Sequence, residues 1–342
     1  MDTIHVLSVF NFTEEQLLKL RRVSPYLEIQ QQRCRSVEQI AAALADPETR
    51  RRTEVLCTFR LPQDLAMAPH LRWVQVPSAG VNHFLDHPVM QNDILLTNAS
   101  GIHATAIGEY VLAMMLNLTR HLPALLSLKW GHGWPHDRDF ASSGGELWGK
   151  VVGIVGYGSI GREVARLCQA FGMRVLAAKR DPKDPGDHGY CLPGRGDPDG
   201  LIPETLFGPE GLAEMLPQCD YVVVAAPLTH ETEGLIGAEE LAAMKPSAYL
   251  VNIARGGLVD EGPLVEALRR GQIAGGALDV VPEEPLPSTH PLWELPNVLL
   301  TPHISGASPI YNDRLSDLFV ENLRRYVAGE RLLNLVDKER GY

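Results

Sequence analysis

The stretch Gly156-Tyr-Gly158-Ser-Ile-Gly161 constrains this chain more than any other feature, because it follows the apolar run Val151–Val155 and opens a helical pattern that reaches about Phe171. The first glycine permits a tight turn out of a strand, the second lets a ligand approach the backbone, and the third lets the helix lie close to the strand. The helix start then presents its N–H groups and positive dipole end, which suit a pyrophosphate. Strand, glycine turn and helix in this order predict a dinucleotide-binding unit, with Gly156, Tyr157, Gly158, Ser159, Ile160 and Gly161 as its cofactor-binding stretch.

An acid about 20 residues beyond such a turn would hold the adenosine ribose hydroxyls. Here the second strand, 174–178, ends in Lys179-Arg180-Asp181. Two cations at that point suit the 2′-phosphate of NADP, so NADP is the expected cofactor. Asp181 is the alternative ribose partner and leaves NAD possible.

Strand and helix patterns alternate along the rest of the chain. Apolar runs at 4–10, 54–59, 72–76 and 94–97 read as strands, and Thr13 followed by two glutamates reads as a helix cap. Further strands are expected at 221–226, 249–253, 275–280 and 298–301. Residues 103–120 form a helix that is apolar on nearly all sides and must be buried against a domain or a second subunit. A final amphipathic helix covers 311–328. Residues 181–211 are rich in Gly and Pro and read as a long surface loop inside the second domain. The expected fold class is α/β, with two doubly wound parallel-sheet domains, the second a Rossmann dinucleotide-binding domain.

Four polar groups fall at strand ends behind the glycine turn. They are Arg255 ahead of Gly256-Gly257, Asp279 within an apolar run, the proline-stiffened Glu283-Glu284-Pro285, and His303 after Thr301-Pro302. Ligands of open α/β sheets sit beyond the carboxyl ends of the strands, so these groups could converge on one crevice. Each also has a plain structural reading as a cap, a polar turn or a hydrogen-bonding histidine.

Taken in order, these stretches resemble the D-isomer-specific 2-hydroxyacid dehydrogenase family, in a form similar to glyoxylate/hydroxypyruvate reductases, over nearly the whole chain. The matching segments include 76–82, 97–103, 109–115, 149–162, 226–232, 252–260, 277–280, 284–287 and 302–306. The resemblance implies His303 as acid/base, Glu284 as its carboxylate partner because it directly precedes Pro285, and Arg255 as the substrate-binding cation. It implies backbone N–H groups of Ser78, Ala79 and Gly80 on the substrate carboxylate, with Arg255 and His303 also touching substrate. Pro227, Thr232, Ile253, Ala254, Arg255, Asp279, His303 and Gly306 would line the cofactor, Asp279 at the nicotinamide carboxamide. It further implies a substrate domain of residues 1–101 and 307–342, a coenzyme domain of 102–306, and a homodimer.

The implied activity is reduction of a small 2-oxo acid to the D-2-hydroxy acid by hydride transfer from NADPH. A dinucleotide-sensing scaffold with little catalysis, like the corepressors that resemble this family, is the alternative. Composition narrows the partners. With 31 Lys+Arg against 42 Asp+Glu the formal charge is −11, which argues against nucleic acid or an anionic membrane as partner. Apolar runs are too short for a membrane span. The five cysteines show no C-x-x-C spacing, so neither disulfides nor a metal site is expected. No basic segment precedes the short apolar run at 6–10, and a cytoplasmic location is expected.

Overall fold

The computed structural model describes residues 3–134 and 144–342. The chain forms two units, one of Met1–His103, His188–Tyr190 and Ser308–Tyr342, the other of Ala104–Asp187 and Cys191–Ala307.

The first unit begins β1 (Ile4–Ser8), α1 (Glu14–Arg21), β2 (Leu27–Gln31), α2 (Val37–Ala45), α3 (Pro47–Arg52) and β3 (Thr53–Cys57), then adds β4 (Trp73–Gln75) and β5 (Leu95–Thr97). Its five strands are parallel in the order β2-β1-β3-β4-β5. Thr13 caps α1 with a reciprocal pair, Gln16 N–H donating to Thr13 Oγ1 and Thr13 N–H to Gln16 Oε1, which satisfies two otherwise orphan donors.

The second unit opens with α4 (Ala104–Thr119) and α5 (Leu122–Trp130), then β6 (Val151–Val155), α6 (Ser159–Ala170), β7 (Arg174–Ala178), β8 (Thr205–Phe207) and α7 (Leu212–Met215). It continues with β9 (Tyr221–Val224), α8 (Ala238–Ala243), β10 (Tyr249–Asn252), α9 (Glu261–Arg269), β11 (Gly275–Leu278) and β12 (Val298–Leu300). These seven strands are parallel in the order β12-β11-β10-β9-β6-β7-β8. The order reverses at β6, which pairs with both β7 and β9, so the glycine turn leaves the sheet at its switch point. Alternate side chains of β6 enter different cores. Val152 and Ile154 pack with Val111 and Met115 of α4 and Val164 of α6, whereas Val151 and Val155 pack with Val222, Leu250 and Leu278. Covering both faces is what permits five consecutive buried residues in β6.

The last helix, α10 (Tyr311–Ala328), returns to the first unit and places Leu315, Leu318, Phe319 and Leu323 in its core. Burying four such side chains contributes roughly 6–12 kcal/mol of gross hydrophobic stabilisation, so α10 belongs to the first unit energetically.

Three features depart from the sequence reading. The stretch 181–211 is not one loop, because Thr205–Phe207 pairs with β7 as an edge strand. Nor does it lie wholly in the second unit: His188–Tyr190 joins the first, where the Tyr190 N–H donates to Asn334 Oδ1 at 2.8 Å and the ring packs on the apolar core. Finally β2, absent from the sequence reading, pairs with β1 along its whole length.

Candidate active site

The glycine turn is built by close approach. Gly156 has φ +103, and a Cβ there would lie 2.4 Å from the Ala226 nitrogen, so only glycine fits between β6 and β9. A Cβ on Gly161 would meet the Gly156 carbonyl at 2.3 Å, which is how closely α6 lies on the turn. Gly158 differs: a Cβ there would meet nothing within 4 Å, and no side chain caps α6 at that residue. An uncapped helix start beside open space is the setting a pyrophosphate needs, so these residues fit a nicotinamide dinucleotide. Ser159 and Ile160 form the first turn of α6, while Tyr157 turns inward, 2% exposed, and donates from its hydroxyl to Asp197 Oδ2 at 2.6 Å.

At the end of β7 the two cations part. Lys179 Nζ donates to the carbonyls of Asp184 and, at 3.1 Å, Gly186. Burial and the neighbouring Arg162 guanidinium hold this ammonium below its ordinary range, against the pull of Asp184, Asp187 and Asp181. Arg180 instead reaches Glu231, with Nη2 3.5 Å from Oε2. Asp181 Oδ1 accepts from Lys183 N–H in a local turn. Beyond β9, Thr232 closes its own loop by donating to the Pro227 carbonyl at 2.7 Å and accepting from Thr229 N–H.

Arg255 follows β10, where buried Asn252 braces the turn by accepting from Ala254 N–H and donating to the Arg255 carbonyl. Ile253 is buried and Ala254 half-buried beside it. The Arg255 guanidinium donates to the Ala254 carbonyl at 2.7 Å; burial lowers its proton affinity and Glu284 raises it, and an arginine stays charged through such shifts. A Cβ on Gly256 would lie 2.0 Å from the Val281 carbonyl carbon, so glycine lets the arginine turn press against the segment between β11 and Glu284.

His303 Nδ1 lies 2.8 Å from Glu284 Oε2, and both side chains remain reachable at 46% and 39% exposure. Of the two adjacent glutamates, Glu284 is the one that meets the ring. His303 has a left-handed backbone, φ +53, held by a donation from its N–H to the Asp279 carbonyl at 2.8 Å. The Asp279 carboxylate, 1% exposed, accepts from Ile304 N–H, Ser305 N–H and the Thr301 hydroxyl, and Tyr110 of α4 bonds to that hydroxyl at 2.5 Å. Asp279 thus ties down the turn that carries His303, with half-buried Gly306 at its end. Sequence reasoning missed Tyr110, Thr301, Asn252, Arg162 and Asp197. A buried Asn closing an apolar strand was the one local signal.

In the first unit, Ser78, Ala79 and Gly80 form a half-buried turn in which the Ser78 hydroxyl donates to the Gly80 carbonyl and the Ser78 carbonyl accepts from Ala99 N–H.

Comparison with known proteins gives the same assignment by independent routes. Residues 112–305 match the profile of the D-isomer specific 2-hydroxyacid dehydrogenase NAD binding domain. Glyoxylate reductase of Thermofilum pendens is 35% identical over 80% of this chain and 76% of its own length. The chain belongs to this family. It is therefore an NAD(P)-dependent dehydrogenase that interconverts 2-oxo and 2-hydroxy acids. Glyoxylate reductase of Aeropyrum pernix is 36% identical over 83% of the chain and 82% of its own. Among solved structures, the D-isomer specific 2-hydroxyacid dehydrogenase of Xanthobacter autotrophicus in complex with NADPH and MES aligns over all of both chains, with TM-score 0.79 and 29% identity. The NADPH-dependent glyoxylate/hydroxypyruvate reductase of Sinorhizobium meliloti, in complex with NADP and sulfate, aligns over 99% of this chain and 100% of its own, with TM-score 0.75 and 26% identity.

Proposed function

We propose that the protein reduces a small 2-oxo acid of the glyoxylate or hydroxypyruvate type to its D-2-hydroxy acid, with NADPH preferred over NADH. The Glu284–His303 hydrogen bond carries this reading, because a carboxylate-oriented imidazole that remains reachable is what a proton donor to a substrate oxygen requires. When bound, the nicotinamide nucleotide supplies the hydride. Arg255 orients the substrate and stabilises the negative charge that grows on its carbonyl oxygen. With Nδ1–H directed to Glu284, His303 presents Nε2–H to that oxygen. The backbone N–H groups of Ser78–Gly80 hold the substrate carboxylate, and Asp279 meets the nicotinamide carboxamide.

Cationic Lys179-Arg180 where an acid would bind ribose supports NADP, as do the NADP(H)-bound relatives. The relatives reported above are reductases and dehydrogenases, which favours catalysis over the scaffold reading. Exposed Leu122, Leu125, Leu126 and Trp130 on α5 support a homodimer, since a second copy would remove them from water. All five cysteines are free thiols, which supports a reducing, cytoplasmic setting.

A panel of 2-oxo acids, run with NADPH and with NADH, tests the proposal. Turnover of glyoxylate or hydroxypyruvate with kcat/KM about 10-fold or more higher for NADPH is expected, the scale of one charge-assisted phosphate contact. Equal use of both nucleotides would overturn the cofactor preference, and no turnover of any 2-oxo acid would overturn the activity.

A further inference from the structure

The loop that follows β7 is tied to the cofactor turn by charges that the reaction does not use. Arg162, one residue past Gly161, is 2% exposed. Its Nη1 donates to the Asp197 carbonyl at 2.5 Å, and its Nη2 to the Pro185 carbonyl at 2.6 Å and the Gly186 carbonyl at 2.8 Å. Its guanidinium carbon stands 4.7 Å from the centre of the Tyr157 ring, and Nε is 3.7 Å from Asp187 Oδ2. Next to it, fully buried Glu163 accepts from Gly196 N–H at 2.7 Å and from Arg166. Asp197, 6% exposed, takes the Tyr157 hydroxyl and the N–H groups of Leu201 and Ile202.

One carbonyl is shared. Gly186 accepts from Arg162, which underlies the pyrophosphate turn, and from Lys179, which stands at the ribose-reading position. A cluster of three carbonyls, Asp184, Pro185 and Gly186, therefore receives two cations, each rooted in a different cofactor-recognition element. Burying a guanidinium is costly unless its donors are met. The loop carbonyls meet both terminal nitrogens of Arg162, while its buried Nε makes no hydrogen bond among the described residues and has the Asp187 carboxylate 3.7 Å away.

We infer that the 181–200 loop is a structural part of the cofactor site, and that Lys179 and Arg162 are positioning residues joined through the Asp184–Gly186 carbonyls, Lys179 not being a ligand of the 2′-phosphate. The inference rests on the nicotinamide-dinucleotide reading above. Its consequence is specific. The pyrophosphate is common to NADPH and NADH, so loosening the cradle weakens both nucleotides alike. The 2′-phosphate belongs to NADPH alone, so loss of its ligand is selective.

Fluorescence titration of the full chain with NADPH and with NADH separates these cases, alongside steady-state reduction of glyoxylate. Lys179→Met keeps the stem and removes the donor; it should raise Kd for both nucleotides by a similar factor, about 3- to 10-fold, as expected for one hydrogen bond to a charged group. Tyr157→Phe, which retains the ring beneath Arg162 but removes one of the three donors to the Asp197 carboxylate, should act like Lys179→Met and serves where the latter folds poorly. A Lys179→Met enzyme that loses NADPH selectively makes Lys179 a phosphate ligand and overturns the inference. So does one that binds both nucleotides as wild type does. Wild-type protein that binds neither nucleotide breaks the functional reading itself, an outcome distinct from all of these.

Discussion

Two charged clusters in the second unit use the same chemistry to opposite ends. His303 and Glu284 meet at 2.8 Å with 46% and 39% of their side chains exposed. Arg162, Glu163 and Asp197 are 2%, 0% and 6% exposed, and their hydrogen bonds run to backbone groups, to Tyr157 or to Arg166. A group that must exchange a proton with a ligand has to keep one face reachable, and an exposed ion pair contributes only about 0–1 kcal/mol to stability. A buried cation surrounded by carbonyls is the reverse: both terminal nitrogens of Arg162 are spent on the loop, and removing the cation strands the acceptors that surround it. Exposure, more than charge or pairing distance, separates the two roles.

That contrast can be broken by substitution. The largest losses of activity are expected at Arg255 and His303. Arg255→Ala should cost roughly 3 kcal/mol or more in kcat/KM for the 2-oxo acid, as for a lost oxyanion donor, and His303→Ala about 100-fold or more. Neither should alter nucleotide binding much, and the His303→Ala midpoint temperature should stay near that of wild type. A near-normal kcat/KM in Arg255→Ala would reduce that arginine to a turn residue.

Arg162→Met is expected to show the opposite signature. Loss of about 3 kcal/mol of stability is the scale for breaking a buried charged network, equivalent to a fall of roughly 10 °C in a unit of this size. Thermal unfolding followed by circular dichroism reads it, and an unchanged midpoint would mean that the buried cluster is no more structural than the exposed pair.

A smaller effect follows at Glu284. In the proposed reaction His303 donates a proton in reduction and accepts one in oxidation, and Glu284 holds the ring in the orientation both directions need. Glu284→Gln keeps the shape but removes the carboxylate 2.8 Å from the ring, so kcat/KM for reduction should fall about 10-fold while the Kd for nucleotide changes little. An unchanged kcat/KM in Glu284→Gln would transfer the test to Glu283.

The smallest expected effect lies at Asp220, between the extremes at 18% side-chain exposure. Burial pushes its carboxyl up, but donations from Val151 N–H at 2.9 Å and Lys245 Nζ at 3.0 Å outweigh this and hold it below its ordinary range. Folding that lowers a carboxyl's proton affinity gains stability above the unfolded value, near ~4, and loses it as pH falls through the folded one. Asp220→Asn should therefore lower stability by about 1 kcal/mol at pH 7 and by much less at acid pH, where wild type has lost the contribution as well. Equal losses at both pH values would show that the charge is immaterial.

Much of the architecture was legible in the residues. The glycine turn, the span of α10 and the strands of the second sheet follow from local periodicity and from conformations that only glycine tolerates. Strand β8 was not, because three residues in a Gly- and Pro-rich stretch become a strand only by pairing with β7. Strand β2 carries a two-residue alternation, with Leu27 and Ile29 buried, yet it is short and stands at an edge. The loop's attachment was hidden altogether, since nothing near Arg162 in sequence announces the carbonyls at 185, 186 and 197.

What the sequence determined by itself is the set of chemical groups and the backbone that presents them: a glycine turn between strand and helix, an arginine before paired glycines, and a histidine closing a strand. Tertiary structure alone decided the partners. It turned Lys179 onto the loop carbonyls while Arg180 reached Glu231, and buried Arg162 and Asp197 together. Local sequence sets dihedral angles and apolar period over a few residues, whereas a side chain's partner is set by which distant segments close onto it, and that closure is a property of the packed whole.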